Sequence, residues 1–100
     1  AETLAMLQNA FKLADGADEK RLAIERSAAV RTMDTVTWLG EFLDDPEFAQ
    51  AACGSLVELA HHRFLRHPNM KTFGPLLEKV AKISDDPTIV ERAKRYRLGL

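Results

Sequence analysis

The sequence has no long run of apolar residues, a single cysteine and no excess of either charge. A membrane-spanning helix needs about 20 consecutive apolar residues, so no transmembrane segment is expected. Cys53 has no second cysteine in the chain with which to form a disulfide. The formal net charge of −1 supplies no overall field that would attract nucleic acid or an anionic membrane. With 46% hydrophobic residues in 100, the composition fits one small domain with a single core.

Sequence motifs of enzymes are also missing. The chain has no Gly-x-Ser-x-Gly nucleophile turn, no phosphate-binding loop, no dinucleotide fingerprint and no His-Glu-x-x-His pattern. A nucleophilic role for Cys53 would require a lowered pKa and a nearby base, and an inert core thiol is the simpler interpretation. We therefore predict a non-enzymatic chain with no catalytic residues and no cofactor.

Three histidines and the cysteine are the candidate metal ligands. His61, His62 and His67 lie close together in the sequence, and imidazole nitrogen with thiolate sulfur suits a transition metal. Consecutive histidines on a helix point to different faces, however, and Cys53 precedes them by two turns among apolar positions. The spacing favours a polar helix end with one packed histidine, and we predict no metal site.

A short phrase occurs twice in the chain. Asp44-Asp45-Pro46 and Asp85-Asp86-Pro87 each run into an apolar stripe with helical spacing. In each copy the second aspartate can cap a helix, and proline suits the first helical position, where its missing N–H is not needed. The acidic pairs could alternatively serve as general acids and bases or as cation ligands, but adjacent carboxylates at a helix start point apart. Helix capping is the simpler interpretation.

Hydrophobic periodicity predicts six helices and no sheet. The predicted ranges are 4–14, 18–29, 33–43 with Thr32 as its cap, 46–62, a helix that ends near residue 83, and one from residue 87 onwards. His67-Pro68-Asn69 predicts a turn, and Gly74-Pro75 obscures where the fifth helix starts. The expected buried positions of the last two helices are Leu76, Val80 and Ile83, followed by Ile89, Ala93, Tyr96 and Leu100.

The repeated phrase resembles the Asp-Pro turn and inner helix of HEAT repeats in bacterial proteins. Residues 43–60 carry the resemblance, residues 84–100 carry it more weakly, and residues 17–30 resemble a shorter copy. The resemblance implies an all-α fold, a right-handed α-α superhelix of about three helical hairpins within a single domain over residues 1–100. It implies little about activity, because helical solenoids serve many roles.

Two groups of basic residues form the candidate interaction surface. Arg63, Arg66 and Lys71 lie in a stretch without any acidic residue, and Arg92, Lys94 and Arg95 lie near the end of the chain. If stacking of the helices brings both groups to one edge, that edge could bind an acidic partner or a phosphate backbone. A solvated helix face is the simpler interpretation, followed by protein contact and then by nucleic acid.

The sequence thus favours a non-catalytic helical-repeat scaffold that binds a protein or a neighbouring domain of the same chain. One alternative is an accessory domain of a larger hydrolase, including a carbohydrate-active one, and another is nucleic-acid binding through the basic edge. Because the chain starts without methionine and its first residues already have a helical pattern, we expect it to be a piece of a longer protein.

Overall fold

The computed structural model describes residues 2–100, and within that range it contains helices and turns but no strand. One helix is a single turn, α5 (Arg63–Arg66), and short 3₁₀ turns occur at Ser27–Ala29 and His67–Asn69. The prediction of an all-α fold with six main helices is confirmed. These six are α1 (Leu4–Leu13), α2 (Ala17–Arg26), α3 (Met33–Gly40), α4 (Ala49–Ala60), α6 (Met70–Ile83) and α7 (Pro87–Arg97).

Two of the predicted helix starts are confirmed by their capping bonds. The Thr32 hydroxyl accepts a hydrogen bond from the Thr35 N–H at 3.2 Å at the start of α3. Asp86 caps α7 by accepting from the Thr88 N–H at 2.9 Å, with Pro87 in the first turn. In both cases a side-chain oxygen satisfies an N–H that the helix itself leaves without a partner.

The predicted start of α4 is wrong by about one turn. Asp45 accepts from the Glu47 N–H at 2.9 Å, yet residues 46–48 form a turn and Phe48 is the N-cap. The main-chain carbonyl of Asp45 also accepts from the Ala49 N–H at 2.8 Å, so the turn leads directly into the helix. The Asp-Pro phrase therefore directs the chain into α4 without being its first residues.

The C-terminal half differs from the prediction in three details. The helix α6 begins at Met70, so Pro75 lies within its second turn and does not mark its start. Its fully buried face is Phe73, Leu77 and Val80, whereas Leu76 and Ile83 are half-buried. Leu100 is 68% exposed because α7 ends at Arg97 and Gly99 turns the chain with φ at +83°.

Helix α4 is the centre of the molecule. It contacts α2, α3, α6 and α7, and most of its length is buried. Small residues allow these close approaches, since Ala52 and Cys53 are fully inaccessible to solvent beside the larger Leu56 and Leu59. The buried Ser55 also joins α4 to α2 by donating to the Ile24 carbonyl at 2.9 Å, and Ser27 at the end of α2 donates to the same carbonyl at 2.6 Å.

The helices follow one another in three contacting pairs, α1–α2, α3–α4 and α6–α7. Edge-on aromatic contacts connect the first two pairs, with the Phe11 ring centroid 5.9 Å from Trp38 and 5.3 Å from Phe48. The radius of gyration is 12.7 Å, close to the value of about 13 Å for a compact domain of this length. The structure is therefore a compact helical globule whose middle pair supplies most of the core.

Candidate functional site

Three of the predicted surface residues converge on one buried tyrosine. Tyr96 of α7 has three guanidinium carbons near its ring, those of Arg66, Arg95 and Arg92 at 4.9, 5.4 and 5.6 Å from the centroid. Its hydroxyl lies 2.9 Å from Nδ1 of His61 and accepts from Nε of Arg92 at 3.2 Å. Cations over an aromatic face are stabilised by the ring electrons. We call these residues the tyrosine cluster.

Arg66 is not part of an exposed surface, contrary to the expectation from the sequence. Its relative accessibility is 1%, and its Nη1 donates to the Ala60 carbonyl at the end of α4 at 2.6 Å. Its Nη2 lies 3.3 Å from Nε2 of His67, while its Nε has no hydrogen-bond partner within the described residues. Burial and the nearby charge of Arg63 lower the pKa of Arg66. Its guanidinium thus fixes the α4–α5 junction.

Arg92 and Arg95 are engaged within the protein by carboxylates. Arg92 forms an ion pair with Glu58 at 2.7 Å, and Arg95 forms one with Glu91 at 3.3 Å. Burial of Tyr96 disfavours its ionisation, but the hydrogen bond from Arg92 and the charges of Arg92 and Arg95 have the larger combined effect and lower its pKa. The tyrosine cluster therefore connects the end of α4 to α5 and α7.

The other three predicted residues remain available to a partner. Arg63, Lys71 and Lys94 are exposed, and across residues 2–100 none of them forms an ion pair. They lie on three different helices, α5, α6 and α7. The structure thus separates the predicted basic edge into one group that is engaged in contacts within the protein and one exposed group without ion pairs.

Two of the candidate metal ligands, His61 and His62, lie side by side with ring centroids 5.5 Å apart, and the other two lie in different environments. Cys53 is fully buried in the core, where burial and, secondarily, the charge of Asp85 raise its pKa to about 11. His61 contacts Tyr96, and His67 contacts Arg66. Within residues 2–100, no three His, Cys, Asp or Glu side chains converge in a way that could hold a metal ion. A thiol with a raised pKa is a poor nucleophile at neutral pH.

A groove crosses the face on which α2, α4 and α7 meet. It has a volume of about 320 Å³, and its small lining residues, which are buried or half-buried, form its floor together with the half-buried Ile89. The exposed Glu25 and Glu58 form its rim, where Glu58 pairs with Arg92. The residues that line the groove are Glu25, Ala28, Gln50, Ala51, Gly54, Ser55, Glu58, Ile89 and Arg92.

Among the large apolar residues of the described range 2–100, Phe64 on α5 is the most exposed, at 99%, and sequence reasoning did not single it out. Together with Arg31, His62 and Leu65 it lines a hollow of about 260 Å³. One feature of the sequence could have indicated that Phe64 is exposed. It lies between His62 and Pro68, in a segment too short to bury an aromatic residue along a helix face. Arg31 was missed because it is far from this segment in the sequence.

No protein-family model, curated protein or solved structure matches this chain. No helix in residues 2–100 combines the length and apolar character needed to cross a membrane.

Proposed function

We propose that this chain is a non-catalytic helical-repeat module, built as a HEAT-like right-handed α-α superhelix, which binds a protein or a neighbouring domain of the same chain. The groove is the observation that supports the proposal. It is lined by α2, α4 and α7, which are the second helices of the three consecutive pairs. In helical-repeat proteins, equivalent helices of successive repeats line the surface that binds partners.

The chemistry of the groove suits a protein segment. Ala51 and Gly54 on its floor allow a partner backbone to approach closely, and Ile89 offers an apolar contact. The Glu58–Arg92 pair and Glu25 supply polar contacts at the rim. A groove with an apolar floor and a polar rim has the composition typical of interfaces between proteins.

The nucleic-acid alternative receives less support. Binding to a phosphate backbone relies on several free cations, and Arg66, Arg92 and Arg95 are engaged within the protein. The accessory-domain alternative is a form of the same function in which the partner is a catalytic unit of a larger hydrolase.

Site-specific photocrosslinking tests the proposal. A photoreactive residue replaces Glu25 at the rim of the groove, and in a matched control it replaces Gln8, an exposed residue of α1 outside the groove. In cells that make the chain, we expect the Glu25 position to capture a defined protein or a domain of the same chain, and the Gln8 position to capture none of it.

Filling the groove provides the second control. A Cβ at Gly54 would lie 3.7 Å from Cδ1 of Ile89, an ordinary contact, so Gly54→Ala should retain the crosslink. Gly54→Phe should abolish it, with folding checked by circular dichroism. Equal capture from Gln8, or products that disappear on nuclease treatment, would overturn the proposal.

A further inference from the structure

Phe64 lies at an unusual place for an aromatic side chain. Helix α5 is a single turn, and its Phe64 ring is 99% exposed while Leu65 beside it is half-buried. A phenylalanine held in water loses the free energy that burial would supply. Large aromatic residues that protrude from a surface are frequent anchors in protein interfaces.

The surroundings of Phe64 carry positive charge without counterions. Residues 61–71 include no aspartate or glutamate. Arg31 and Arg63 are exposed, and across residues 2–100 neither forms an ion pair. The nearby carboxylate of Glu58 is already paired with Arg92. An anionic group that approaches Phe64 therefore meets two free guanidinium groups.

A receptacle for an apolar group lies directly beside the ring. The hollow of about 260 Å³ is lined by Arg31, His62, Phe64 and Leu65. Partial burial, and then the charge of Arg31, lower the pKa of His62 and so favour its neutral imidazole. The hollow thus has aromatic and aliphatic walls with a cation at its rim.

We propose that Phe64 and this hollow bind an acidic amphipathic segment of a protein partner. One apolar side chain of the segment enters the hollow against Phe64 and Leu65, and its carboxylates pair with Arg31 and Arg63. The inference depends on the proposed function, because it specifies the chemistry of the protein that the module binds.

Two other classes of partner fit less well the corner that Arg31, His62, Arg63, Phe64 and Leu65 form. Binding to a nucleic-acid backbone draws on the release of many counterions, whereas this corner offers only two free arginines. A membrane is also disfavoured, because even a single myristoyl chain gives marginal binding and one phenylalanine inserts less apolar surface than that chain. A protein segment can satisfy the arginines and fill the hollow together.

Fluorescence anisotropy with defined probes tests the proposal on the whole chain. The main probe is a labelled peptide of about 15 residues, long enough for four helical turns, in which leucine and phenylalanine recur every three or four residues among aspartate and glutamate. The control peptide replaces every acid by lysine. Single-stranded DNA and vesicles of phosphatidylcholine with phosphatidylserine represent the other two classes of partner.

We expect the acidic peptide to bind and the lysine peptide not to bind. Phe64→Ser should weaken binding by about tenfold, the effect of removing an interface anchor. Arg63→Glu should also weaken it and reduce its dependence on salt. Leu13→Ser is the matched control. It should have no effect, because Leu13 is 71% exposed but lies at the end of α1 and does not line the hollow.

Several results would overturn this inference. They are failure of the acidic peptide to bind, binding that Phe64→Ser leaves unchanged, and binding of DNA or vesicles that is lost on Phe64→Ser. Protein crosslinks from the Glu25 position would separate the two proposals. If these crosslinks form in the native chain and persist in the Phe64→Ser variant, but the acidic peptide does not bind the native chain, the module binds proteins through another surface.

Discussion

The two Asp-Asp-Pro turns share one side-chain hydrogen bond, but the helices that follow them differ in where they begin and in how deeply they are buried. Asp45 and Asp86 each accept a hydrogen bond from the N–H two residues ahead, both at 2.9 Å. Of the twelve residues of α4, eight are buried, whereas in α7 only Ala93 and Tyr96 are. The difference arises because α4 has helices packed on several sides and α7 lies at an edge.

The comparison shows what a repeated phrase specifies. It specifies the hydrogen bond between the second aspartate and the N–H two residues ahead, because that bond depends on a few neighbouring atoms. It does not fix how deeply the helix is buried, which depends on the surrounding helices. Equivalent positions illustrate this: Cys53 in α4 is fully buried, and Lys94 at the matching place in α7 is exposed.

The largest expected effect on the free energy of unfolding comes from truncating Phe48, which we compare with Ile89. Each residue lies two positions after the proline of its turn. Phe48 is buried among Phe11 and Phe42, whereas Ile89 is half-buried at the groove. Phe48→Ala should lower the free energy of unfolding by about 3–5 kcal/mol, and Ile89→Ala by about half as much. Urea unfolding of both variants measures the difference. Equal losses would mean that the two helices are equally important to the core.

The pH dependence of stability should show a contribution from Cys53 of α4, whose matching position in α7 is the exposed Lys94. Burial raises its pKa from 9.0 to about 11, so between these values the folded chain retains a proton that the unfolded chain loses. This contribution is fully present below pH 9 and is lost as the pH rises towards 11, at up to about 1.4 kcal/mol per pH unit.

The matched variant is Cys53→Ala, which removes the titrating thiol. Its unfolding free energy should fall less steeply above pH 9 than that of the native chain. Parallel curves for the two chains, from urea unfolding at a series of pH values, would contradict the assignment.

The two aspartates that accept a main-chain hydrogen bond in the turns, Asp45 and Asp86, should behave alike. Asp45→Ala and Asp86→Ala each remove an acceptor of a main-chain N–H and should each cost about 0.5–2 kcal/mol. Asparagine at either position keeps the acceptor and should restore most of the loss. Thermal unfolding of the four variants provides the measurement, and rescue at only one position would show that the two turns are not equivalent.

The smallest expected loss of unfolding free energy concerns Gln50, a residue of α4 that follows the first Asp-Asp-Pro phrase. Gln50 donates to the Ile83 carbonyl and accepts from the Asp85 N–H, both at 2.9 Å, so it braces the turn before α7. Gln50→Ala should cost about 1 kcal/mol because both bonds are exposed. Gln8→Ala, at an exposed position of α1, is the control. An equal change in both variants would show that the brace contributes nothing.

The candidate site was only partly predictable. The sequence identified the basic residues, but it could not show that Arg66 folds inwards to the Ala60 carbonyl or that Arg92 pairs with Glu58. These contacts join residues from different elements, and an arginine has the same appearance in a sequence whether it is paired or free. Phe64 and Arg31 were missed for the same reason, since their proximity depends on how α5 lies against the segment that precedes α3.

The sequence by itself determined the helical class, the order of the main helices and the caps at Thr32 and Asp86. Periodicity and capping operate over a few residues, so they can be recognised without the fold. Only the tertiary structure decided that α4 is central, that three arginines contact Tyr96 and that Phe64 remains exposed to solvent. Those outcomes depend on packing between segments distant in the chain, where the geometry of every neighbouring helix determines what is buried and what remains exposed.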